Sequence, residues 1–183
     1  MTKRKLEAVA QSALLEAARQ RRQLGSLFCE NQFRYIVMSR LSNDGHYGKV
    51  GYSPDGQVSR SLVMELNYWS NLQLRNQSRH PKRIDLASIK KESIDDYDNA
   101  RYQPQPLAVE TKIDYNAAGL KSDLNSCKGY LRKNGSMRFS YAMLLVAGTR
   151  EPRRFNPKQS NRGKLLYGYL DGDLNPVIYW VEG

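Results

Sequence analysis

The heptapeptide Leu107-Ala108-Val109-Glu110-Thr111-Lys112-Ile113 constrains the fold more than any other stretch of the chain. It has the apolar, β-branched character of a buried strand, yet it carries a carboxylate and an ammonium two residues apart. Side chains alternate faces along a strand, so Glu110 and Lys112 share one face while Leu107, Val109 and Ile113 share the other. A strand interior accepts two charges only when they are paired, solvated or holding a cation. A second strand of the same kind, Arg83-Ile84-Asp85-Leu86-Ala87, sets Asp85 among apolar neighbours 25 residues before Glu110.

The rest of the chain supplies elements around this pair. Residues 4–23 predict a helix, with Leu6, Ala10, Ala13, Leu14 and Ala17 on one narrow face and Gly25 as its stop. That face packs either on the domain or on a second subunit. A second helix, from Glu30 to about Leu41, gathers Phe33, Ile36, Val37 and Leu41. Strands follow at 61–69 and 83–89, then a polar, acidic surface loop over 93–105, then the strand 107–113. From Gly119 to about Leu131 a third helix places Leu120, Leu124, Cys127 and Leu131 together. An apolar strand at 137–146, a basic loop at 150–164 and closing strands over 164–170 and 177–181 complete the order α-α-β-β-β-α-β-β-β. The expected organisation is an N-terminal basic amphipathic helix, residues 1–25, and a domain over 26–183 whose core spans about 28–147.

Charge narrows the function classes. Twenty-nine Lys and Arg against eighteen Asp and Glu leave a net charge of +11, a field that concentrates polyanions and favours phosphate contacts. The excess clusters in 3–22 and again in Arg150, Arg153, Arg154, Lys158, Arg162 and Lys164, which are the candidate nucleic-acid contacts. The alternative is that each run is merely solvated surface. The longest apolar run, 141–148, is too short to span a bilayer, and no secretory segment is visible, so the expected compartment is the cytoplasm without membrane attachment. Cys29 and Cys127 make no disulfide framework and are expected to be reduced, mostly buried thiols.

The candidate chemistry starts from Asp85 and Glu110. Two carboxylates from neighbouring strands suffice for Mg²⁺, which prefers oxygen ligands and keeps several of its waters. Lys112 lies beside Glu110 on the same face, where it can position a nucleophilic water or offset developing negative charge. The two strands and the helix after them resemble the PD-(D/E)XK, or restriction-endonuclease-like, nuclease superfamily over roughly residues 28–147. The resemblance implies an α/β fold with an α-β-β-β-α-β core, a central mixed sheet flanked by helices. Here the first helix and a basic C-terminal β extension are additions. It also implies catalytic roles for Asp85, Glu110 and Lys112, with Asp85 and Glu110 as Mg²⁺ ligands and Mn²⁺ as a substitute. Many members carry a glutamate near the start of the helix before the sheet, a place matched by Glu30, while Glu65 on the intervening strand is a further acidic candidate. Ile84 stands where the motif has proline. Asp123, Asn125 and Lys128 fall where many members have a glutamine.

The expected function is therefore a Mg²⁺-dependent nuclease hydrolysing phosphodiester bonds, with DNA favoured over RNA, in defence, a mobile element or DNA processing. Cutting both strands of a duplex would call for a homodimer, with the N-terminal helix as candidate interface. The rival readings are a non-catalytic nucleic-acid-binding module and an assembly subunit of a nucleoprotein complex. In those readings Asp85 pairs with Arg83 or Lys82, and Glu110 and Lys112 form a surface ion pair. Glu30 would then be an ordinary acid at a helix N-terminus.

Overall fold

The computed structural model describes residues 1–42, 60–68, 82–90, 104–113, 117–132, 137–148 and 155–182. The loop expected at 93–105 lies outside them up to residue 103, as do Arg150, Arg153 and Arg154.

An Ala-rich first segment forms α1, Lys3–Leu24, with Thr2 Oγ1 accepting from the Lys5 N–H at its start. It ends at Gly25, whose φ of 56° lies in the left-handed region and whose N–H donates to the Arg21 carbonyl. After a single 3₁₀ turn, Gly25–Leu27, comes α2, Glu30–Ser42. The strands are β1, Arg60–Tyr68, β2, Lys82–Lys90, and β3, Gln105–Lys112. Helix α3, Ala117–Tyr130, leads to β4, Phe139–Val146, and the chain closes with β5, Leu165–Leu170, and β6, Pro176–Val181.

The protein has an α/β fold built on one mixed sheet of six strands in the order β1-β2-β3-β4-β5-β6. The first three are antiparallel; β3, β4 and β5 run parallel; β6 returns antiparallel to β5. A parallel step needs a crossover, and α3 provides the one between β3 and β4. Helices cover both faces. On one side α1 and α2 pack on Leu86, Leu107, Val109, Met143, Leu145 and Leu166. On the other, Leu120, Leu124 and Cys127 of α3 pack on Ile84, Ala108, Ala142, Leu144 and Val146. Burial on both faces explains why β4 reads as a nearly continuous apolar run instead of an alternating one.

The apolar face of α1 is spent on this sheet. Leu6, Ala10, Ala13, Leu14 and Ala17 are fully buried, and small residues let the helix come close. A Cβ at Gly168 of β5 would lie 3.1 Å from Leu14 Cδ1. Of the two places the sequence leaves open for this face, the chain's own core takes it.

Leu131 lies just past α3, half-buried against the cluster of Leu120, Leu124 and Cys127, as expected, and Tyr130 joins them as the last buried residue of the helix. The hydroxyl of Tyr130 has a buried partner described below. One expectation needs correction. Cys127 is buried as expected, but Cys29 is exposed ahead of α2. No helix among the described residues is long and apolar enough to cross a membrane.

Candidate active site

The β2–β3 ladder is short. It pairs Ser88 with Leu107, Ala87 with Ala108 and Leu86 with Val109, and there it stops. The next register position would set Asp85 against Glu110. Beyond the last pair the strands no longer exchange backbone hydrogen bonds, and side chains take over. Asp85 Oδ2 accepts from the Thr111 backbone N–H at 2.7 Å and from Thr111 Oγ1 at 2.9 Å, so the carboxylate stands in for a missing strand carbonyl.

The other Asp85 oxygen is held from α2. Arg34 Nη2 donates to Asp85 Oδ1 at 2.7 Å, with both residues only 8 % exposed. The same Arg34 nitrogen lies 3.5 Å from Glu30 Oε1, and that oxygen lies 3.6 Å from Lys112 Nζ. Lys112 is the last residue of β3, so its long side chain can reach the helix that covers the opposite face from α3. A continuous line of alternating charge thus runs Lys112–Glu30–Arg34–Asp85. Glu30 is more than a helix N-terminal acid: it joins the two cations of the site.

Glu110 turns to α3, where it accepts from the Tyr130 hydroxyl at 2.6 Å. It is 6 % exposed. Burial pushes its carboxyl up to about 8, the negative charge of Asp85 pushes in the same direction, and the Tyr130 hydrogen bond opposes them. Asp123 of α3 adds to the rise and Lys112 counters it. Glu30 is also raised, by burial first, against the pull of Lys112. Burial would lower the Lys112 ammonium, but Glu30, Asp123, Asp85 and Glu110 outweigh it, and its pKa stays above the ordinary value. Lys112 is therefore a fixed cation near neutral pH. It can position an oxygen or neutralise its charge, but it is a poor base.

Asp85, Glu110, Lys112 and Glu30 are thus gathered at one end of the sheet, between α2 and α3. The side chain of Glu65 lies outside the described residues. Arg34, Thr111 and Tyr130 complete the cluster and were not singled out by motif. Arg34 left one signal: a charge inside the apolar stripe Phe33, Val37, Leu41 of α2. Asp123 contributes electrostatically, whereas Asn125 is exposed on α3.

The donor chemistry suits a hard cation. Two carboxylates of adjacent strands are buried near one another, and burial first, then the charge of Asp85, raises Glu110. A carboxylate accepts about four hydrogen bonds, and three are identified at Asp85. Among the described residues no group of three or more His, Cys, Asp or Glu side chains is arranged to hold a metal ion.

Strands β3, β4 and β5 are parallel, with Lys112 level with Val146 and Val146 level with Tyr169. Lys158, Arg162 and Lys164 precede β5 and so lie toward the opposite end of the sheet from Lys112. Lys158 pairs with Glu182 at 3.1 Å, and both are well exposed.

No protein-family model, curated protein or solved structure matches this chain.

Proposed function

We propose that the chain is a Mg²⁺-dependent nuclease with a restriction-endonuclease-like core, hydrolysing phosphodiester bonds of DNA in preference to RNA in the cytoplasm. One observation carries the reading: Asp85 and Glu110 stand just past the end of the short β2–β3 ladder, close enough for the charge of Asp85 to act on Glu110, and both act on Lys112. The order of helices and strands, a three-strand meander followed by a helical crossover to a parallel strand, supports the same reading.

Asp85 and Glu110 would hold Mg²⁺, and Mn²⁺ could replace it. When bound, the ion would offset phosphate charge and acidify a coordinated water. Asp85 is fixed for this role by Arg34 and Thr111. Glu110 is held by Tyr130 and would give up its proton on binding a cation. Lys112, anchored by Glu30, holds the attacking water or a non-bridging phosphoryl oxygen. In the hydrolysis the water oxygen bonds to phosphorus, the P–O ester bond breaks, and the leaving oxygen takes a proton. Outside the cluster, the +11 field supplies sequence-independent attraction for the backbone.

The test is cleavage of linear, supercoiled and single-stranded DNA, and of RNA, with Mg²⁺, Mn²⁺ or EDTA. Metal-dependent products are expected, with a loss of about 100-fold or more in Asp85→Ala and Lys112→Ala. Cleavage surviving both substitutions overturns the assignment. A second reading has its own observation, since Asp85 is already neutralised by Arg34 and bonded by Thr111, as in a purely structural ion pair. A non-catalytic nucleic-acid-binding module on this scaffold would bind in a salt-sensitive way and cut nothing under any of these conditions.

A further inference from the structure

At the end of the sheet remote from Lys112 there is a cavity of about 420 Å³, lined by Met1, Lys90, Pro104, Pro106, Arg138, Ser140, Tyr141 and Lys164. Seven strand positions separate Gln105 from Lys112, so this cavity opens roughly 23 Å from the acidic cluster. Among the described residues that line it, three are cations and none is an acid. The cations come from three parts of the fold, the end of β2, the entry to β4 and the residue before β5, with prolines of the β3 entry between them.

The backbones that carry these cations are tied together. Gln105 is fully buried at the start of β3. Its side-chain Oε1 accepts from the Lys90 N–H at 3.0 Å, and its own N–H donates to the Arg138 carbonyl at 2.7 Å. The Lys164 carbonyl accepts from the Ala142 N–H at 3.0 Å. Lys90, Arg138 and Lys164 therefore project from fixed points around one hollow and not from independent loops. Tyr141 forms part of the wall and is itself braced by Trp180, ring centroid to centroid 5.9 Å.

We propose that this cavity is a binding site for adjacent phosphoryl groups, separate from the acidic cluster. Three cations that converge on one hollow attract an anion, and a cavity of this size takes two or three linked phosphates. Arg138 offers a planar fork to paired oxygens, while Lys90 and Lys164 act as point charges on either side. Ser140 adds a hydroxyl donor, and the Pro104, Pro106 and Tyr141 surfaces leave an apolar wall for a sugar or base. The same chemistry comes from a free nucleoside polyphosphate or from consecutive phosphates of a nucleic acid.

Tripolyphosphate is the probe, titrated calorimetrically into the full chain in EDTA, so that the result is independent of metal at the acidic end. Saturable binding is expected. Lys90→Gln/Arg138→Gln/Lys164→Gln should weaken it about ten-fold or more. The charge-matched variant Arg83→Gln/Lys121→Gln/Arg132→Gln should change it less than about two-fold. Circular dichroism and melting confirm that the variants fold, and Arg138→Gln alone should give an intermediate loss. Competition then identifies the source: displacement by a nucleoside triphosphate alone marks a free nucleotide, and displacement by an oligonucleotide marks a backbone. Equal losses in the two triple variants, or no saturable binding, overturn the proposal.

Discussion

The two ends of this sheet treat charge in opposite ways. At the Asp85–Lys112 end, acids and cations are buried or half-buried, interleaved and bonded to one another, so that each side chain has little freedom. At the Lys90–Lys164 end, cations surround an open cavity with no acid among the described residues of its lining. Buried interleaved charge costs desolvation that it recovers only through good geometry, which makes it a weak stabiliser but a precise arrangement. Open like charge is the reverse: badly positioned for chemistry on a bond, well suited to attract a polyanion. The comparison separates a place built to position atoms from a place built to capture a ligand.

The largest effect is expected where the acidic end depends on one cation. Arg34→Leu leaves Asp85 buried with Thr111 alone and should destabilise the fold by about 3–5 kcal/mol in chemical denaturation. Replacing both partners, Arg34→Leu/Asp85→Leu, should recover a substantial part of that loss. Under the nuclease reading Mg²⁺ should raise the melting temperature of Arg34→Leu more than that of the wild type, because the ion supplies the charge that was removed. If Arg34→Leu loses less than about 1 kcal/mol, the ion pair does not govern this end.

The basic end should break through its backbone and not through its charges. A Cβ on Gly163 would lie 2.1 Å from the Val181 carbonyl oxygen, and neither strand end can yield cheaply. Gly163→Ala should therefore cost about 3 kcal/mol and, by shifting the neighbouring Lys164, weaken tripolyphosphate binding as well. Unchanged binding in a destabilised variant would show that the cavity does not need Lys164 where it stands.

Much of this architecture is legible in the chain. The order of helices and strands follows from periodicity and punctuation, and the two charged strands announce the acidic cluster. Contacts made at long sequence separation are not legible. Arg34 meets Asp85 across 51 positions, and only its place within an apolar helical stripe hinted at burial. Tyr130 and Leu131 both continue the spacing of α3, but nothing in that spacing shows that the Tyr130 hydroxyl serves buried Glu110. The basic run 150–164 looks like one patch in sequence. A parallel step from β4 to β5 must carry the chain from one end of the sheet to the other, however, so Ala147 and Lys164 stand at opposite ends.

Glu110 offers a subtler test of the acidic end, in metal-free buffer. Its carboxyl titrates at about 8 in the folded chain against an ordinary 4.5. Between those values the folded chain keeps a proton that the unfolded chain has released, so stability falls as pH rises from about 4.5 to about 8 and then levels. Glu110→Gln stays neutral and retains an acceptor for Tyr130. It should match the wild type near pH 5 and exceed it by roughly 2 kcal/mol above pH 8. Parallel stability curves for the two proteins would mean that Glu110 is ionised in the fold.

The smallest effect belongs to Lys158. Its pair with Glu182 is exposed on both sides, and the Glu182 N–H bond to the Lys158 carbonyl survives substitution. Lys158→Gln should move the melting temperature by less than about 2 °C. Its value lies in binding. A side chain that contacts a phosphate lowers the salt dependence of nucleic-acid affinity by about one ion when it is neutralised. A reduced salt slope with unchanged melting would extend the capture surface from the cavity along the segment before β5. An unchanged slope would confine it to Lys90, Arg138 and Lys164, and leave Lys158 to its surface ion pair.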